Sequence, residues 1–99
     1  MRELWVRIPD HPDYYVSNTG LVASYKYKIW KILKPSLRGA GKNKTSCIVL
    51  SENSVSFTLS VSKLVARAFL DYNSNVLIRH LDKNPSNNSI DNLKIRVIK

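Results

Sequence analysis

The sequence predicts an α+β domain, and three observations carry that expectation. "VSFTLS" alternates strictly, with Val55, Phe57 and Leu59 on one face and Ser56, Thr58 and Ser60 on the other, which is the two-residue period of a strand. At Ser60 the period changes: Val61, Leu64, Val65, Ala68 and Phe69 follow helical spacing, with Lys63 and Arg67 on the opposite face. Two apolar segments, "VLIRHL" and "LKIRVI", then flank a long polar loop as two strands would.

The elements follow in order. "LWVRIP" predicts a strand that stops at Pro9, and "DHPD" a loop. "YYVS" and "LVASY" predict strands around "NTG", where Asn18 and Gly20 suit a tight reversal. "KIWKILKP" fits a strand or a helix, and Pro35 ends either; "SLRGAGKNK" reads as a loop by its glycines and charges. "TSCIVLS" pairs with the alternating strand as a hairpin around Glu52 and Asn53. Ser60 suits a helix N-cap, and the helix ends near Asp71. No linker, repeat or low-complexity tract divides the chain. The expectation is one domain over 1–99: small antiparallel strands over 1–60, one helix over 61–70, and a ββ hairpin over 76–99.

Composition narrows the function. The chain has 99 residues, 43% of them hydrophobic, which fits one folded domain with a modest core. Sixteen Lys and Arg against seven Asp and Glu give a net charge of +9, a surplus that favours a polyanionic partner. No apolar run reaches membrane-spanning length, and the N-terminus is charged from Arg2, unlike a signal peptide. A soluble, intracellular protein is therefore expected. A membrane surface is a poor partner, because the one clear helix needs its apolar face for the core. Cys47 is the only cysteine, which rules out a disulfide framework; with His11 and His80 it makes too few zinc ligands at the wrong spacing. It lies in an apolar run and is expected to be buried and inert.

Between positions 26 and 44 lie seven basic residues and no acidic one: Lys26, Lys28, Lys31, Lys34, Arg38, Lys42 and Lys44, with Tyr25, Tyr27 and Trp30 interleaved. Cations neutralise phosphates and aromatics stack on bases, so this segment is a candidate nucleic-acid surface that Lys63 and Arg67 extend. The alternative is a solvated charged face with its aromatics in the core.

The segment "HLDKNPSNNSIDNL" invites a chemical reading. A calcium loop starting at Asp82 would need a glycine and a late glutamate, and neither is there. A Ser-type or Cys-type triad has no second partner. What remains is His80 at a strand end with Asn92 twelve positions later. Across a folded-back loop, Asn92 could fix the His80 ring, and an oriented neutral imidazole is a suitable general base for water attacking a phosphodiester. The other reading is a lone histidine in a hairpin with asparagine-rich turn chemistry.

At these residues "RHLDKNPSNNSIDNL" resembles the HNH, or His-Me finger, endonucleases of phages and mobile introns. Upstream, "LWVRIPDHPDYYVSNTGLVAS" is similar to the N-terminal modular motif that accompanies them, and "LKPSL", the hairpin and "VSKLVARAFL" match the connecting region and helix. The resemblance covers nearly the whole chain. It implies His80 as general base, Asn92 as the residue that positions it, and magnesium or manganese as cofactor for an active nuclease.

The sequence departs from the family pattern at three places. Arg79 stands where a metal-binding Asn or Asp is usual, and a cation repels magnesium. The sequence stops at Lys99, seven residues after Asn92, where a helix carrying another ligand is expected. Ser62 and Lys63 replace a His-Arg pair in the helix motif. Asp82, Asn84, Asn88 and Asp91 are the remaining oxygen donors, with Asp82 and Asn84 the metal candidates. Arg79 beside His80 suits a metal-free phosphate clamp, with both side chains pointing toward one phosphate.

The leading expectation is thus a DNA-binding HNH-like protein with a degraded site and no cofactor, cytoplasmic in an infected bacterial host. The alternatives are a magnesium-dependent nickase using His80, and an inhibitor that binds a host or rival-phage protein. Oligomeric state and target sequence are not legible.

Overall fold

The computed structural model describes residues 2–39, 41, 44–70 and 76–97. Among the described residues nine short strands form three antiparallel sheets, each built from strands consecutive in sequence, and one α-helix packs against them. The first sheet runs β1 (Trp5–Ile8), β2 (His11–Ser17), β3 (Val22–Lys26) and β4 (Ile29–Ile32). The second runs β5 (Ser36–Arg38), β6 (Thr45–Glu52) and β7 (Val55–Ser60), and the third pairs β8 (Val76–His80) with β9 (Leu93–Val97). The α+β class is as expected.

Helix α1 (Val61–Phe69) touches strands of all three sheets. Its apolar stripe explains this: Val61, Leu64 and Val65 are buried, and join Ile8, Tyr14, Val16, Val22, Ile48, Leu50 and Leu93 in one core. Burying each such aliphatic side chain stabilises by about 1.5–3 kcal/mol. Lys63 and Arg67 stay exposed. Ser60 takes the N-cap position without making a side-chain cap; its hydroxyl bonds Ser62 Oγ at 3.1 Å instead. Among the described residues no helix is long and apolar enough to cross a membrane.

Several local expectations are corrected. "DHPD" is largely strand, because His11 is buried and satisfied: its Nδ1 lies 2.7 Å from Glu52 Oε1, and its ring packs on Phe57. Residues 36–38 form an edge strand on β6 rather than a loop. The ambiguous "KIWKILKP" is strand β4, reached through a turn in which Tyr27 and Lys28 both have positive φ, the pattern of a two-residue hairpin turn. Asn53 and Ser54 repeat that geometry between β6 and β7. Cys47 is only half-buried, since its position in β6 alternates away from buried Ser46 and Ile48. The helix ends at Phe69; Asp71 lies outside the described residues.

Tyr14 joins the first two sheets. Its hydroxyl donates to Ser51 O and accepts from Ser51 N, each at 2.9 Å.

Candidate active site and basic faces

His80 ends β8, paired with Leu93 at the start of β9. Strand alternation puts His80 on the inner face with Val76, Ile78, Leu93 and Ile95, all buried or half-buried. The loop between the strands holds its shape by its own side chains. Asp82 Oδ1 accepts from Asn84 N and from Asn92 Nδ2, each at 2.8 Å, and Asp82 Oδ2 accepts from Asn87 Nδ2 at 2.8 Å. Asn84 Oδ1 accepts from Ser86 N, and Asn92 Oδ1 from Asp82 N, at 3.0 Å. These are the local side-chain-to-backbone bonds at which Asn and Asp excel. The amide of Asn87, first, then the Asn84 N–H and the Asn92 amide hold the Asp82 carboxyl below its usual pKa.

The ring of His80 is held by Asn88, not by Asn92. Nε2 lies 2.7 Å from Asn88 Oδ1, while the Asn88 amide donates to Pro85 O at 3.1 Å. That second bond fixes which way the amide faces. Oδ1 can only accept, so His80 carries its proton on Nε2 in this network. In the neutral ring Nδ1 then holds the lone pair. It has no hydrogen-bond partner among the described residues and is not fully buried. Asn92 works at one remove: it fastens Asp82 and, through Nδ2 to Asn87 O at 2.9 Å, the stretch that delivers Asn88. Sequence spacing singled out Asn92 and counted Asn88 only as an oxygen donor; six asparagines from position 73 to 92 offered no signal to choose between them.

Asn88 is itself anchored from the first sheet. Ile90 N donates to Asn18 O at 2.9 Å, and Gly20 packs directly on the Asn88 backbone. Asn18 is fixed in turn: its Oδ1 accepts from Leu4 N, and its Nδ2 donates to Arg2 O. The turn "NTG" thus supports the loop that holds His80.

Arg79 is placed differently from expectation. It is exposed and paired with Lys94, on the face of the hairpin opposite His80. Adjacent strand residues point to opposite sides, so the strand does not aim both side chains at one phosphate.

The segment 26–44 also divides. Register places Tyr25 and Trp30 on the outer face of the first sheet with Tyr15, Arg7 and Trp5, where Trp5 and Trp30 meet edge-on at 4.8 Å. Lys26 and Lys31 leave on the other side. Lys26 donates to Ser51 O at 2.6 Å and lies over the Tyr14 ring, and the Tyr14 phenol holds its ammonium above the usual pKa. Lys28, Lys31, Lys34, Arg38 and Lys44 are exposed; Lys42 lies outside the described residues. Tyr27, at 93% exposure, projects from the hairpin tip.

The comparisons with known proteins agree with this fold. No family model matches the chain. Two proteins of Acanthamoeba polyphaga mimivirus, each named an uncharacterized HNH endonuclease, are 38% and 35% identical to it over 91 residues. These matches cover 89% and 91% of this chain but 21% and 26% of the relatives. A solved structure, of DNA binding and cleavage by the HNH homing endonuclease I-HmuI, superposes with a TM-score of 0.79 at 32% identity, over 95% of this chain and 52% of that one. The chain is an HNH-family protein. It spans about a quarter or less of its mimivirus relatives and about half of the solved homing endonuclease. Within the HNH hairpin, no group of three or more His, Cys, Asp or Glu gathers as metal ligands do, and this holds among all the described residues.

Proposed function

We propose that this chain is a DNA-binding HNH module in which His80 is held in place while the oxygens around it serve the loop rather than a divalent metal. One observation carries the reading. Both Asp82 oxygens and the amide oxygens of Asn84, Asn88 and Asn92 already accept hydrogen bonds from the loop or from His80. A hard cation such as magnesium takes oxygens in a nearly ideal octahedron, and the residue before His80 is Arg79, which offers only donors. These residues do not fit a metal ion. DNA as the partner is supported by the charge of +9 and by the likeness to I-HmuI, whose structure is one of DNA binding and cleavage.

The test is a supercoiled-plasmid nicking assay with magnesium or manganese, run beside His80→Ala and beside binding of the same DNA at several salt concentrations. The expected result is salt-sensitive binding without nicking. Nicking that His80→Ala abolishes supports the second reading, an HNH nickase. Nδ1 of His80, without a hydrogen-bond partner among the described residues, favours that reading: it can take a proton from a water attacking phosphorus while Asn88 Oδ1 stabilises the charged ring through Nε2–H. Any metal would then need ligands from other residues. Neither binding nor nicking would overturn both readings and point to a protein partner.

A further inference from the structure

Arg79, Lys94 and Arg96 share the outer face of the β8–β9 hairpin, and we infer that this face binds the phosphate backbone of a nucleic acid. The inference rests on the DNA reading above and names a surface for it. Arg79 and Lys94 are directly paired across the strands, and Arg96 lies opposite Leu77, next along the same face. All four are exposed, while the reverse face packs toward the core through Val76, Ile78 and Leu93.

Like charges directly opposite each other weaken a strand pair, and a two-stranded ribbon has little stability to lose. Nothing nearby relieves the repulsion. Among the described residues none of the three cations has an ion pair, and Asp82, the acid nearest to Arg79 in sequence, is occupied by Asn87, Asn84 and Asn92. An external anion would relieve it.

The spacing favours a polymer over a single ion. Lys94 and Arg96 lie about 7 Å apart along β9, and Arg79 stands about 5 Å from Lys94 across the ribbon. A nucleic acid presents a charge at every nucleotide and meets all three cations at once. The two guanidinium groups match phosphate by geometry as well as by charge. The face is distinct from the 26–44 segment, which lies on the first two sheets, and it leaves His80 unobstructed on the other side of the strand.

The test is duplex-DNA binding by the whole chain across a salt series. It uses wild type, Arg79→Gln, Lys94→Gln, Arg96→Gln, the triple variant, and Arg2→Gln as an exposed cation outside the hairpin strands. Each lost contact should flatten the slope of log K against log salt by about 0.9, so the triple variant by about 2.7, while Arg2→Gln leaves it unchanged. A triple variant that is folded by circular dichroism and keeps the wild-type slope overturns the inference but leaves the DNA reading standing. If the triple variant does not fold, unchanged slopes in all three single variants overturn it. Wild type that binds no DNA overturns both.

Discussion

Gly20 lies so close to Asn88 that a Cβ at position 20 would sit 2.7 Å from the Asn88 carbonyl carbon and 2.9 Å from its oxygen. Gly20 also has φ +92°, where L side chains are strained. The contact runs from the first sheet to the residue that holds His80. Gly20→Ala should therefore cost about 1–3 kcal/mol and displace the loop. Urea unfolding would read the first effect. A changed His80 ring resonance at native pH would read the second, and an unchanged resonance would argue that the turn only packs against the loop.

Asn88 makes a sharper prediction. Asn88→Ala removes the partner of a half-buried ring nitrogen and should cost about 1–3 kcal/mol. Asn88→Asp keeps an acceptor opposite Nε2, so its stability at neutral pH should lie closer to wild type than that of Asn88→Ala. Urea unfolding would rank the two variants, and the ring resonances at native pH would separate His80, which should move, from His11, which binds Glu52 and should not.

Asp82 links the loop to acidity. Its folded pKa is lowered, chiefly by Asn87, so its contribution to stability is present above the unfolded carboxylate value near 3.8 and is lost as pH falls through the folded value. Acid unfolding should accordingly include a component below that value. Asn92→Ala removes one of the donors, moves the carboxyl back toward its ordinary pKa, and should shrink this component. If the acid limb of wild type and Asn92→Ala coincide when normalised to neutral pH, Asp82 makes no such contribution.

The lysines should separate by role. Lys26→Ala loses the bond to Ser51 O and the contact over Tyr14, at a cost of about 1 kcal/mol in thermal or urea unfolding. Lys28→Ala and Lys31→Ala, both exposed, should stay within about 0.5 kcal/mol of wild type. Their effect should appear only in DNA affinity.

Much of the fold was legible because it follows simple periods. The alternation at 55–60 is strand β7, the switch at Ser60 starts the helix, and the apolar segments near the end are β8 and β9. What escaped depends on partners far along the chain. His11 could be read as strand only by knowing that Glu52 and Phe57 would cover it. Asn88 could be preferred to Asn92 only by knowing the path of the loop between them. The opposed faces of Arg79 and His80 are a different case: the two-residue period that identified β8 already implied them. The same period separates Tyr25 and Trp30 from Lys26 and Lys31, which look interleaved in sequence.

Every sheet is a meander of sequence neighbours, so each can form by closing short loops, the fast part of folding. The bond from Ile90 to Asn18 and the seat of Asn88 on Gly20 bring together opposite ends of the chain. Among the hydrogen bonds of the described residues, the Ile90–Asn18 bond closes the longest stretch of chain, so these contacts are expected among the late steps. His80 should therefore acquire its final surroundings only as the two ends meet. Its ring resonance would serve as a clock for the completion of folding, lagging behind the formation of the strands themselves.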